Sequence, residues 1–314
     1  MINFYLNKMN VIFRIVKQNN SPVICDFAEA VASHVDFLLD FENKISKLSS
    51  RYDLNLQKEI KDAFRNEILP WMGKSKIMDR ALKKPRGYPG DYQMLEYIYN
   101  NKPVSEGIGY YFDEGFLKSE LTEAVRQRKD MMREILKKET QNNRSIRILD
   151  LACGSSREIV ELNKQKASKS HYFCLDFDEE ALDYSKKALD LKGVQVNYIK
   201  EDILEIIKKN KNDIFKEKDL IYSVGLVDYF PDRLFKNLIK MVVEAMAKGS
   251  KLIITIKDKD VYSPIREDWM TDWSFLPRNQ KSVPQLIESL EIPDLEIKSE
   301  KVSDGIIIFY WIYH

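Results

Sequence analysis

The chain changes its hydrophobic rhythm once, near Asn142-Asn143. Before that point apolar residues recur at three- and four-residue spacing, over Val23 to Leu48 and again over Leu54 to Met72 up to Pro70, which predicts amphipathic helices. Pro85 to Asp91, rich in Gly and Pro, reads as a loop. A short helix is expected over Tyr92 to Tyr99 and a long one over Leu117 to Lys137. Past the change, short apolar runs alternate with amphipathic ones. Strands are predicted at 146–151, 171–176, 194–199, 219–224 and 250–257, and helices at 156–167, 178–190, 202–209, 231–247 and 282–290. Such alternation builds βαβ units and a parallel sheet. The chain closes with Asp294 to Lys301 and Gly305 to Tyr313 around the turn Ser303-Asp-Gly305. Asp-Gly between two β-rich runs signals a hairpin.

The strand ends carry the chemistry. In Ile146-Arg-Ile-Leu-Asp-Leu-Ala-Cys-Gly-Ser-Ser-Arg-Glu-Ile159 an apolar run ends in an acid, a turn of small residues follows, and a helix begins. Such a turn lets backbone N–H groups and a helix N-terminus meet a ligand closely. His171-Tyr-Phe-Cys-Leu-Asp176 ends in a second carboxylate, about 20 residues past Gly154, where sites of this kind hold a ribose. Val194 to Ile199 runs into Glu201-Asp202, and Asp219 to Val224 into Gly225. Acid-tipped or polar-tipped strands in succession describe one nucleotide-like pocket. The expected fold is therefore α/β: a Rossmann-like, seven-stranded, mostly parallel sheet with an antiparallel C-terminal hairpin, preceded by a helical lid domain. The boundary is expected to divide a helical cap or substrate domain, 1–140, from a ligand-binding domain, 141–314.

Composition removes several alternatives. A formal net charge of +1 argues against a chain built to grip a phosphate backbone, so no nucleic acid is expected as partner. Cys25, Cys153 and Cys174 are an odd set without CxxC spacing, which argues against disulfides and against zinc, and fits reduced thiols in a cytoplasmic protein. No metal is expected. Asn3, Asn7, Lys8, Asn10 and Arg14 interrupt the apolar start, so it predicts an amphipathic helix and not a secretory signal. No run of about 18 apolar residues occurs, so no integral membrane segment is expected. The lysine-rich pieces Lys137-Lys138, Lys186-Lys187 and Lys208 to Lys211 read as solvated helix faces.

These residues resemble the class I S-adenosylmethionine-dependent methyltransferases. The acid-x-Gly-x-Gly-x-Gly motif of that superfamily falls on Asp150-Leu-Ala-Cys-Gly-Ser-Ser156, with Gly154 present and Ala152 and Ser156 in place of the flanking glycines. Both replacements are small, but neither tolerates a positive φ as glycine does. The resemblance implies S-adenosyl-L-methionine as cofactor, with Asp150, Ala152, Cys153, Gly154 and Arg157 around the turn. It implies Asp176 on the ribose hydroxyls with Phe177 beside it, Asp202 near the adenine amine with Ile203 against the ring, and Ser223 and Gly225 at the fourth strand. A narrower likeness lies in Lys84 to Tyr92, Ala124 to Arg128, Leu151 to Glu158, Tyr222 to Asp232 and Asp268 to Trp273. Together these tracts look like a bacterial methyltransferase family associated with making 3-hydroxypalmitic acid methyl ester.

The implied reaction is methyl transfer to a small-molecule substrate, by preference the carboxylate oxygen of a fatty-acid-like molecule. N- or S-methylation of a small metabolite, or a non-catalytic S-adenosylmethionine-binding module, are the alternatives, and a homodimer stays open. A carboxylate is ionised at pH 7 and needs no strong base, which suits a chain whose histidines are His34, His171 and His314 alone. Asp228 and Tyr229 stand where the acceptor would be presented. Asp228 reads alternatively as the cap of the next helix, a role Asp232 could also fill. Arg86 and Tyr88, with Asp91 and Tyr92, suit a loop that closes over the site, and otherwise form a plain surface turn. Arg126 or Arg128 could hold the methionine carboxylate by a bidentate pair, and Arg126 is preferred. Tyr110-Tyr-Phe112 and Trp269 to Trp273 are either acceptor-pocket walls or helix-packing residues.

Overall fold

The computed structural model describes residues 53–141, 145–162, 170–190 and 193–314. The predicted helix over Val23 to Leu48, the amino-terminal amphipathic stretch, Cys25 and His34 lie outside the described residues. The fold separates into two compact units: the chain up to Glu123 together with Pro264–Ser274, and Ala124–Ser263 together with Phe275–His314.

The larger unit is built on a seven-stranded sheet. Its strands are β1 (Arg147–Leu151), β2 (His171–Asp176), β3 (Gln195–Lys200), β4 (Leu220–Ser223), β5 (Lys251–Lys257), β6 (Glu296–Lys301) and β7 (Ile307–Tyr313). They lie in the order β3-β2-β1-β4-β5-β7-β6. The first five pair in parallel, and β7 returns antiparallel between β5 and β6. The predicted hairpin is there, with Gly305 at φ 77° in its turn. Near-continuous apolar runs make β1, β2, β4 and β5 central and buried. β3 and β6 alternate polar residues and stand at the edges, where the charges of Glu-Ile-Lys-Ser-Glu-Lys in β6 discourage further strand pairing. The helix Asp232–Ala245 turns Phe235, Leu238, Ile239 and Val242 inward at helical spacing, into a cluster that contains Leu149, Ile221, Leu252 and Ile254.

Topology fixes where a ligand can sit. The chain runs outward from β1 to β2 and β3, then crosses back to place β4 on the other side of β1, so the connections leaving the carboxyl ends of β1 and β4 turn in opposite directions along the sheet. Open α/β sheets bind ligands in such a crevice. The helix expected at 156–167 is realised as Arg157–Val160, and residues 163–169 lie outside the described part.

The smaller unit is helical. Leu54–Met72 starts at Asp53, whose carboxylate accepts from the N–H groups of Asn55 and Leu56, and Pro70 is absorbed in the last turn. Sequence periodicity passes over three short helices, Lys76–Lys83, Ile108–Leu117 and Ile265–Thr271. The expected start at Leu117 belongs to the second of these, and the long helix begins at Glu120. Trp269 is buried edge-on against Phe64 with ring centroids 5.6 Å apart, and Arg65 donates to the Trp269 carbonyl at 2.9 Å. These aromatics are packing residues.

Asp91 does not behave as a mobile loop residue. It is fully buried, caps the helix Tyr92–Asn100 by accepting from the Met94 N–H, and takes the Nε of Arg80 at 2.9 Å. Its loss would leave Arg80 short of its partner and a helix N-terminus uncapped. Asp91→Ala is expected to cost about 2–4 kcal/mol, read as a lowered midpoint in urea unfolding. An unchanged midpoint would contradict this structural role.

Candidate functional site

The site begins with the backbone after β1. Ala152, Gly154 and Ser156 take φ values of 57°, 53° and 48°, so every second residue of the turn is left-handed. Two of the three are not glycines and carry a steric cost of about 1–2 kcal/mol each. The turn that the resemblance assigns to three glycines is therefore made here with one.

What holds the turn is a carboxylate from the neighbouring strand. Asp176 Oδ2 accepts from the Gly154 N–H at 2.9 Å, and Oδ1 accepts from the Asp178 N–H at 2.9 Å. The Cys153 N–H donates to the Leu175 carbonyl at 3.0 Å, fastening the turn to the end of β2. Burial pushes the Asp176 carboxyl above its ordinary range, against the pull of its backbone donors. Phe177, the next residue, is 47% exposed.

Register sets the rest. Asp150 stands opposite Cys174 on β2 and Tyr222 on β4. Its Oδ2 is buried with no hydrogen-bond partner among the described residues. Burial pushes the Asp150 carboxyl well above its usual value, and Glu158, Cys174 and Asp176 push further, while the Tyr222 hydroxyl opposes them. Tyr222 donates to Glu158 Oε1 at 2.9 Å. Glu158 is also raised by burial, with its own backbone N–H, Tyr222 and Arg128 pulling the other way. Three carboxyls, Asp150 on β1, Asp176 at the end of β2 and Glu158 on the helix after the turn, are thus buried at one place. Such a place favours a cation or hydroxyl donors.

Arg128 is the nearby cation. It is 3% exposed, and its guanidinium lies against Gly225 so closely that a Cβ built there would stand 2.5 Å from its NH1 nitrogen. Gly225 has φ 100°. Sequence reasoning weighed Arg128 but preferred Arg126, which is half-buried on the same helix. Helical phase alone could not decide which of the two turns toward the sheet. Glu158 and Tyr222 were missed as a pair, because only the β1–β4 pairing joins them.

The other expected residues fall as follows. Ser223 is fully buried and donates to the Leu151 carbonyl at 3.1 Å, locking the ends of β1 and β4. Arg157 Nε donates to Glu161 at 2.8 Å. Asp202 caps the helix Ile203–Lys208 through the Leu204 N–H. Ile203 is 6% exposed and committed to the core, whereas its neighbour Leu204 is 46% exposed. Asp228 is buried and gives both carboxylate oxygens to Lys257: Oδ1 accepts from its backbone N–H at 2.9 Å, and Oδ2 pairs with its Nζ at 2.6 Å. Lys257 Nζ also lies 3.8 Å from the centroid of the Phe275 ring. The alternative reading of Asp228 as a helix cap is set aside, since Pro231 occupies that position without a side-chain cap and Asp232 pairs with Arg278. Tyr229 is half-buried, its ring 5.4 Å from that of Phe275. Arg86 and Tyr88 belong to the smaller unit, in the turn after the helix Lys76–Lys83. That unit also contains an apolar pocket lined by Met78, Phe112, Phe116 and Met270. Among the described residues, no helix is long and apolar enough to cross a membrane.

A model of the family described as "Putative methyltransferase" matches residues 81–260. Among solved structures, a possible exported protein from Bordetella parapertussis has a TM-score of 0.54 at 17% identity, covering 71% of this chain and 78% of that one. That likeness is one of fold. Magnesium protoporphyrin IX methyltransferase from Synechocystis, with SAM bound, has a TM-score of 0.44 at 12% identity, covering 62% of this chain and 83% of that one. No curated protein matches the sequence.

Two measurements test the energetics of the turn. Ala152→Gly should remove the left-handed penalty and return part of it as unfolded-state entropy, for a net gain of about 0.5–1 kcal/mol in urea unfolding. A loss of stability would show that the turn is not strained at Ala152. The second concerns charge. A carboxyl whose folded pKa is raised gives stability below its unfolded pKa and loses it as pH rises through the folded value. Asp150→Asn should therefore gain in melting temperature relative to the parent chain as pH climbs from about 4 to about 8. A difference independent of pH would refute the assignment.

Proposed function

The chain belongs to the putative methyltransferase family, and from that premise we propose that it transfers the methyl group of S-adenosyl-L-methionine to a small-molecule acceptor, by preference the carboxylate oxygen of a fatty-acid-like molecule. The observation that carries the reading is the strained turn between β1 and the following helix, clamped by Gly154 N–H on Asp176 at a topological switch point. When bound, S-adenosylmethionine supplies an electrophilic methyl group on a sulfonium, and its displacement leaves a neutral thioether.

The residues suit that ligand. Asp176 accepts from the backbone N–H groups of Gly154 and Asp178, and its carboxylate, which has about four acceptor positions, keeps capacity for a ribose hydroxyl. Exposed Phe177 offers a ring face beside it. Asp150, whose Oδ2 has no hydrogen-bond partner among the described residues, is a candidate for the cationic part of the ligand, and buried Arg128 is a stronger candidate than Arg126 for its carboxylate. Asp202 retains an oxygen beyond its capping bond for the adenine amine. On the acceptor side, the Asp228–Lys257 pair holds the segment Val227–Tyr229 against β5 and leaves Tyr229 to orient the acceptor.

A carboxylate acceptor is already ionised, so the protein's task is alignment and water exclusion, and alignment alone can supply about 7–11 kcal/mol. No described histidine is available for more. His171 opens β2 and pairs with Asn197 at 2.7 Å, and His314 follows β7 beside Gly249, both at the end of the sheet opposite the turn. The tracts Lys84 to Tyr92, Tyr222 to Asp232 and Asp268 to Trp273 support a fatty-acid-like acceptor, as do the apolar walls of Met78, Phe112, Phe116 and Met270.

Incubation with methyl-labelled donor and a panel of free saturated and 3-hydroxy fatty acids tests the reaction. Label should pass into organic solvent and be released by mild base, as an ester requires. Transfer to amines or thiols, with none to carboxylates, would overturn O-methylation. In calorimetry Asp176→Ala should weaken donor binding tenfold or more, since charge-assisted hydrogen bonds contribute about 1.5–3 kcal/mol each. Parent affinity in a folded variant would remove Asp176 from the site.

A further inference from the structure

The same turn brings together two thiols and a carboxylate, a combination that methyl transfer does not explain. One carboxylate oxygen of Asp150 and the sulfurs of Cys153 and Cys174 all lie within 4.8 Å of one another. All three residues are buried, and both cysteines are free thiols. Asp150 Oδ2 has no hydrogen-bond partner among the described residues. Backbone pairing fixes the arrangement: Asp150 is in register with Cys174, and the Cys153 N–H is tied to the Leu175 carbonyl. Cys153 keeps 8% exposure while Cys174 has none, so entry would be from the Cys153 side. Ser156 Oγ, 3.5 Å from the Cys174 sulfur and 3.0 Å from Ser185 Oγ, adds no charge.

Two thiols and a carboxylate are ligands for a borderline-soft dication. Zn–S bonds of about 2.3 Å at tetrahedral angles put two sulfurs about 3.8 Å apart, and Zn–O is about 2.0–2.2 Å. The cluster therefore needs to contract by no more than about 1 Å, within the reach of side-chain torsions. We propose that Asp150, Cys153 and Cys174 form a binding site for one thiophilic divalent cation of the zinc class, with the fourth position left to water. Each thiol gives its proton to solvent as its sulfur bonds the cation. Those two protons, and that of the Asp150 carboxyl wherever it is protonated, go to solvent, no electron changes hands, and two thiolates with one carboxylate surround a dication. Occupancy would fix the turn and engage Asp150 and Cys153. Resting on the methyltransferase reading above, the cation and S-adenosylmethionine then exclude each other, so a thiophilic metal acts as an inhibitor at the donor site.

The test uses the full chain, reduced and stripped of metal, with Co2+ as probe. One equivalent should bind with a thiolate-to-cobalt charge-transfer band and tetrahedral ligand-field absorption, and Zn2+ should displace it. Absence of a thiolate band in the unaltered protein overturns the site, whether or not any variant folds. Cys153→Ser and Cys174→Ser should each lose the band or weaken Zn2+ binding at least about tenfold, while Cys25→Ser, which alters the remaining cysteine, should keep it. Retention in both of the first two, or loss in Cys25→Ser alone, overturns the assignment. Asp150→Asn should keep thiolate absorption with weaker binding. Calorimetry with S-adenosylmethionine separates the two readings. Donor affinity lowered tenfold or more by Zn2+ supports exclusion. Unchanged donor affinity in the zinc-loaded protein overturns exclusion alone. A protein that binds the metal through its thiolates but never binds the donor overturns the methyltransferase reading and leaves the metal site standing.

Discussion

The bond from the Gly154 N–H to the Asp176 carboxylate is the constraint on which the site depends. It joins the turn after β1 to the end of β2, and it holds left-handed a stretch whose residues, apart from Gly154, would not choose that conformation. Ala152 and Ser156 store steric cost there, and a buried carboxylate without a matched counter-cation stores electrostatic cost beside it. A protein keeps such costs only where the surrounding fold over-determines the geometry. Here the surroundings are two interior strand pairings, β1 with β2 and β1 with β4.

The electrostatics follow from that geometry. Asp150 on β1, Asp176 at the end of β2 and Glu158 on the helix between those strands are brought together at the carboxyl ends of the strands, where burial raises all three. Arg128, laid against Gly225, compensates only in part. The pocket is thus left short of positive charge and of hydroxyl donors, the groups that a sulfonium-bearing nucleoside brings. The carboxylate oxygen of Asp150 that is unpartnered among the described residues, next to two thiols, is what the proposed thiophilic cation would engage. On the other side of the crevice the balance is opposite: Asp228 and Lys257 neutralise each other inside the protein, and their pairing shapes a backbone instead of offering a reactive group.

Much of this was legible in the order of the residues. Strand positions, the parallel core and the closing hairpin were readable because apolar runs of strand length alternate with amphipathic stretches, and because Asp304-Gly305 marks its turn. The acids at strand ends were readable for the same reason, since parallel strands bring their carboxyl ends to one side. Short helices such as Lys76–Lys83 were not, for a face of two turns leaves too little period to detect. Asp91 was misread as part of a mobile loop, because a Gly-Pro-rich tract looks alike whether its acid faces solvent or, as here, caps a helix and holds Arg80.

What the sequence determined by itself was the set of strands, their polar tips and the small-residue turn, all properties of local pattern. Tertiary structure alone decided which of those tips touch. Asp150 meets Tyr222 and Cys174 because β1 lies between β2 and β4. Arg128, and not Arg126, is the arginine buried against Gly225 because of how its helix packs. Cys153 and Cys174, 21 positions apart with no metal-site spacing, approach each other because parallel pairing aligns residues across a crossover. Pattern along a chain fixes elements, since it acts over a few residues. Pairing and packing act over distances that local pattern does not encode.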